Sequence, residues 1–206
     1  MRGVLIRWCG LVPAVAVVAL ALTACGTEQG EQAKKATDPK ATAKETAGKN
    51  GAVPEVTVTE ASAEALDQAI TELKGKVVVV DFWATWCGPC VKKFPHLVEM
   101  HKKYADKGLV CVSISMDKAG PGEDYKAEKV LAFLKEKEAR FPNFIVANPD
   151  EDEKKIEARF GDYSVIPYMV VFDKAGRRVW DSDPTVTPPK DSAEKLEKLI
   201  QDQLAK

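Results

Sequence analysis

Two cysteines, Cys87 and Cys90, stand three positions apart in the run DFWATWCGPCVKKFP, residues 81–95. A pair at this spacing can exchange disulfides, hold a metal ion or simply staple the chain. Disulfide exchange needs an attacking thiolate near neutral pH, so one cysteine must have a lowered pKa. A strand running into a helix meets that need, because the first helical residues present unpaired N–H groups and the positive end of the helix dipole. The run places Cys87 at such a junction, as nucleophile, and Cys90 one turn inside, as the more buried resolving thiol. Gly88 permits close approach of a partner, and Pro89 is tolerated in a first helical turn, where its missing N–H costs nothing.

The other uses of the pair fit less well. A structural zinc site wants four ligands, often a second CxxC or paired histidines. The chain's two histidines, His96 and His101, lie on the same predicted helix and read as solvated. No metal site is therefore assigned. A staple across so short a loop removes little unfolded-state entropy. Copper(I) suits soft thiolates, but no Met or His cluster accompanies this pair.

The elements around the pair follow from periodicity. Residues 55–60 alternate with period two and predict a short strand. Ser62 can cap a helix running to about Leu73, stopped at Lys74-Gly75-Lys76. Val77 to Ala84 is a continuous β-branched and aromatic run, as expected of a strand buried on both faces. A helix over 88–105 follows, with Pro95 inside it, where proline should kink it. Leu109 to Met116 predicts a second buried strand. Beyond it come a turn at residues 119–122, a helix near 128–138, a short strand at 144–147 and a helix over 150–160. Tyr168–Asp173 and Arg178–Asp181, joined by Lys174-Ala175-Gly176, read as a hairpin. Asp191-Ser192 should cap a last helix to about Leu204. Strands alternating with helices, then a hairpin, predict an α/β fold with a central mixed sheet flanked by helices.

Composition bounds the class. The 206 residues are 45% hydrophobic, enough for a real core, and the net charge of −1 points to no nucleic-acid partner. Residues 1–24 read as an export signal: Arg2 and Arg7 precede an apolar run, Leu11 to Leu22, shorter than the ~20 residues that span a bilayer. The closing Leu22-Thr23-Ala24-Cys25 resembles the lipobox of bacterial lipoproteins, which implies lipid on Cys25 and attachment to a membrane. Residues 25–52 lack aromatic and large aliphatic side chains and read as a lipid-anchored flexible linker, leaving 53–206 as the folded domain. Cys87, Cys90 and Cys111 then remain in the body of the protein, in a compartment where disulfides persist. Cys111, mid-strand, reads as a small buried hydrophobe.

VVVDFWATWCGPC, with a proline in the following helix, resembles the thioredoxin active-site signature. The lipobox, the insertion after SISMD and the stretch IPYMVVFDKAGRR resemble the exported thioredoxin-like proteins of the TlpA/ResA kind, across essentially the whole mature domain. The resemblance implies a thioredoxin-like fold and thiol–disulfide oxidoreductase activity without a bound cofactor. It also implies roles for further residues. Asp81, six before Cys87, matches a buried acid that exchanges the Cys90 proton, with a pKa raised by burial. Pro167 matches a cis-proline beside the pair, leaving the Ile166 backbone free to bind an extended substrate. Trp86 belongs to the apolar rim around the disulfide.

Two positions depart from that pattern. Lys93 stands where many such proteins have glutamate, and Tyr168 follows the proline where threonine is usual. The Lys93 cation is expected to favour thiolate rather than accept protons, so that acid–base duty falls more heavily on Asp81, and Tyr168 is expected to alter the substrate groove. The family implies exported protein disulfides or thiols as partners, apocytochrome c and metal-site thiols among them, with a membrane thiol relay supplying electrons. The Gly-Pro dipeptide favours a reductant. An exported oxidase or isomerase, or a module that binds a partner or copper(I), is the alternative.

Overall fold

The computed structural model describes residues 54–120, 125–182 and 189–206. The predicted signal (1–24), Cys25 and linker (25–52) lie outside the described residues, as does part of the turn at 119–122. Among the described residues no helix is long and apolar enough to cross a membrane.

Among the described residues, six strands form one mixed sheet: β1 (Thr59–Ala61), β2 (Val77–Trp83), β3 (Leu109–Ser115), β4 (Asn143–Val146), β5 (Tyr168–Phe172) and β6 (Arg178–Asp181). Their order is β1-β4-β3-β2-β5-β6. The pairings from β1 to β2 are parallel, whereas β5 runs antiparallel to β2 and β6 antiparallel to β5. Helices α1 (Ala63–Glu72), α2 (Gly88–Tyr104), α3 (Ala127–Glu136), α4 (Pro149–Phe160) and α5 (Pro189–Leu204) cover the sheet.

The continuous apolar run of β2 is explained by its place between two cores. Successive strand side chains point to opposite faces. Val77, Val79 and Trp83 pack with Phe94 and Leu97 of α2, Leu134 of α3 and Ile200 of α5. Val78, Val80 and Phe82 pack with Leu66 and Ile70 of α1 and Ile156 and Phe160 of α4. All seven residues of β2 are buried.

Three expectations need correction. The strand predicted over 55–60 is laddered only at Thr59–Ala61, because β4 supplies partners for those three residues alone. The preceding backbone is held by side chains instead: Arg140 Nη1 donates to Pro54 O at 2.7 Å and Asn143 Nδ2 to Thr57 O at 3.1 Å. The last helix begins at Pro189, so Asp191 and Ser192 lie within it; proline fits a first turn, whose N–H groups have no helical partner anyway. His101, expected in solvent, is half buried. β4 begins opposite Ser113, which leaves the Cys111 N–H without a strand partner, and His101 Nδ1 accepts it at 3.4 Å. Burial lowers the His101 pKa.

Candidate active site

The reactive pair sits where β2 passes into α2. Cys87 is the N-cap of α2, with extended backbone (φ −87°, ψ 97°), and the Cys90 N–H donates to its Sγ at 3.3 Å. The two sulfurs are joined in a disulfide. Cys87 keeps 6% of its surface exposed and Cys90 none. A nucleophile from outside therefore reaches Cys87 first. Pro89 occupies the first turn of α2. A Cβ on Gly88 would meet nothing within 4 Å, so the space before it is open to a partner rather than filled by this chain.

The wall facing the pair comes from the start of β5. The Ile166–Pro167 peptide is cis, and the Ile166 carbonyl oxygen lies 3.8 Å from Cys87 Sγ. In the disulfide that sulfur has no proton to donate; once reduced, the Cys87 thiol can donate to this carbonyl. Trp86 and Val165, 49% and 56% exposed, are among the large apolar side chains that the described surface leaves open.

Asp81, in β2 opposite Met169, is only 3% exposed, with no hydrogen-bond partner for Oδ1. Burial pushes its pKa up to about 8, against a smaller opposing pull from the Lys93 charge. A cleft of about 270 Å³ adjoins it, lined in part by Asp81, Lys93, Leu97, Pro167 and Met169. Cys111 is free and fully buried; burial pushes its thiol pKa well up, with the Asp81 charge adding to the effect, so it is a poor nucleophile.

The Tyr168 departure does not reshape the groove as expected. Tyr168 pairs with Phe82 and Met169 with Asp81, so alternation sends Met169 to the cysteine side and Tyr168 to the opposite core. There its hydroxyl donates to Phe160 O at 2.9 Å. Met169, not singled out from sequence, lines the cleft instead. Finding it needed the antiparallel register of β5 on β2, which sets Met169 opposite Asp81 and which the sequence does not name.

Sequence reasoning also missed Asp117. Its carboxylate accepts from the Thr85 N–H at 3.1 Å, from Thr85 Oγ1 and from Ser115 Oγ at 2.6 Å. It thus ties the end of β3 to the loop leading into Cys87. The available signal was its position just past the carboxyl end of a parallel strand, where α/β sheets gather their functional loops.

A disulfide at the strand–helix junction, with a cis-proline loop opposite and a buried acid in β2, defines a thioredoxin-like site. The Redoxin family model matches residues 46–200, so the chain belongs to the Redoxin family, as a TlpA/ResA-type member of the thioredoxin superfamily. It is 34% identical over 112 residues to the thiol-disulfide oxidoreductase ResA of a Bacillus cereus strain, covering 53% of this chain and 56% of that protein. It is 35% identical over 104 residues to the thioredoxin-like protein YneN of Bacillus subtilis (strain 168), covering 50% and 53%. The chain thus spans about half the length of these relatives. Among solved structures, a thiol:disulfide interchange protein of the thioredoxin family from Chlorobium tepidum TLS superposes with a TM-score of 0.51 at 26% identity, covering 65% of this chain and 83% of that one.

Proposed function

We propose that the chain is an extracytoplasmic thiol–disulfide oxidoreductase, tethered to a membrane through lipid on Cys25, that reduces disulfides of exported proteins. The observation carrying this reading is the aim of the Cys90 N–H, at 3.3 Å, on the sulfur of the more accessible cysteine. Such a donor, with the helix dipole behind it, stabilises a thiolate on Cys87.

In the reduced protein, the Cys87 thiolate attacks one sulfur of a substrate disulfide. The substrate S–S bond breaks, a mixed disulfide forms, and the first substrate thiolate leaves. Asp81 takes the proton of Cys90, directly or through water in the cleft. The Cys90 thiolate then attacks Cys87 Sγ and expels the second substrate thiolate. Two electrons pass to the substrate, whose two thiolates take up one proton from Cys90, by way of Asp81, and one from solvent. Another turnover requires an external dithiol, which is the part assigned to a membrane thiol relay. The Gly-Pro dipeptide supports the reducing direction by its likeness to reducing thioredoxins.

Equilibration of the purified protein in redox buffers, read by the mass added on thiol alkylation, tests the direction. A potential near the ~−270 mV of thioredoxin supports a reductant, whereas one near the ~−120 mV of strong oxidants makes the protein a disulfide donor. Cys87→Ser is expected to lower exchange with a peptide disulfide by at least about 10³-fold, because the attacking thiolate is gone. Exchange that survives this change would end the redox reading.

A further inference from the structure

We infer that the turn after β3 is a positioning device for Trp86, with Gly120 as the seat of the indole and Asp117 as the anchor of its loop; this rests on the function just proposed. Two independent contacts join that turn to the residues before Cys87. The carboxylate of Asp117 holds Thr85 by both its N–H and its hydroxyl, and Ser115 Oγ holds the carboxylate in turn. Met116 N–H donates to Trp83 O at 2.7 Å, so the turn also grips the end of β2.

Gly120 then meets the indole itself. A Cβ built there would lie 2.8 Å from Trp86 Cδ1 and 3.0 Å from Cε2, closer than carbon atoms pack, and closer still to Nε1. The backbone does not ask for glycine: Gly120 has φ −75° and ψ 164°, ordinary extended values open to any residue. Space for the indole is what requires it. Trp86 therefore rests one side on the Gly120 backbone and leaves 49% of its surface to solvent, beside the accessible cysteine.

An aromatic side chain held this way is a ready-made contact for the polypeptide flanking a substrate disulfide. A large substrate should sense its placement, whereas a small disulfide or dithiol that needs only the sulfur should not. Gly120 and Asp117 touch neither the sulfurs nor the substrate and act through Trp86, as positioning residues.

The test compares two reactions of the full-length protein: reduction of a peptide closed by one disulfide, and exchange with dithiothreitol. Gly120→Ala should lower kcat/KM for the peptide by about 10-fold, mainly through KM, as expected when a uniform binding contact is lost. Exchange with dithiothreitol and the Cys87–Cys90 potential should stay as in the wild type. In a Trp86→Ala background Gly120→Ala should cost nothing more, since both changes remove one contact. Should Gly120→Ala fail to fold, Asp117→Asn carries the test, because one acceptor oxygen becomes a donor facing Thr85; about a threefold loss confined to the peptide is expected.

A Gly120→Ala loss that persists in the Trp86→Ala background overturns the inference, as does an equal loss with peptide and dithiothreitol. If the wild type exchanges with both reagents and the variants match it, only this inference falls. If the wild type exchanges with neither, the proposed function fails and takes the inference with it.

Discussion

One strand, β2, builds two unlike regions. Its even-numbered residues enter a closed aromatic core, in which Phe82 stacks on Tyr163 at 5.0 Å, Phe160 meets Phe82 edge-on at 5.4 Å and Phe172 at 5.8 Å. The buried Tyr168 hydroxyl there is satisfied by a backbone carbonyl. Its odd-numbered residues face the cysteines. Among the described residues, the two buried side-chain atoms without a hydrogen-bond partner, Asp81 Oδ1 and Trp83 Nε1, both belong to that side. An unsatisfied buried polar group costs about 1–3 kcal/mol. The sheet thus carries a buried core on each face, and the unpaired polar groups fall on the cysteine face alone.

The comparison can be broken most forcefully from the closed side. Phe82→Ala, at a fully buried position, should cost about 3–5 kcal/mol in a denaturant titration. Exchange per folded molecule should change by less than about twofold, because the cavity opens on the face away from Cys87. A large loss of activity among folded molecules would show that the faces are coupled.

The open side predicts a trade. Burial raises the Asp81 carboxyl from its ordinary 3.8 to about 8, so the fold favours the neutral acid. The stability linked to that preference is complete below about pH 4, is lost as pH rises towards 8, and changes no further above it. Asp81→Asn should flatten this dependence. In unfolding of the disulfide form it should gain over wild type at pH 9, by up to about 1.4 kcal/mol for each pKa unit between 3.8 and 8, and nothing at pH 3. Activity should move the other way, with resolution of the mixed disulfide by Cys90 slowed about 100-fold in a single-turnover assay. Equal stability of the two proteins at pH 9 would mean that Asp81 is not the unpaired acid described.

The smallest effect separates two adjacent residues of β5. Tyr168→Phe removes a hydroxyl and leaves the Phe160 carbonyl without that donor, so it should cost about 1 kcal/mol of stability. Peptide reduction should be unchanged, since the ring lies across the sheet from the groove. A shift in KM would return Tyr168 to the substrate side.

Much of this was legible in the chain because it is local. The apolar run of β2 announced a doubly covered strand, and its one acid announced a buried carboxyl. The cysteine spacing, with glycine and proline between, announced a helix start. The remainder depends on neighbours that local pattern does not name. The strand at 55–60 was cut short by the length of β4, far away in sequence. His101 found a backbone donor because β4 begins opposite Ser113, two residues beyond Cys111 along β3. Tyr168 and Met169 exchanged their expected importance once the antiparallel register with β2 was known. The size of the Trp86 seat is a property of Gly120, which sequence alone presents as a turn residue.

The two rims of the sheet have a consequence for how the protein meets other chains. β1 is three residues long and β6 four, so each offers an incoming extended segment only a few consecutive backbone groups. Short rims discourage strand-by-strand docking and the growth of aggregates from it. A stretched polypeptide seeking backbone partners is thereby left, on the reading above, with the Ile166 backbone beside Cys87. Selectivity for the reactive sulfur then begins with the scarcity of other places to bind.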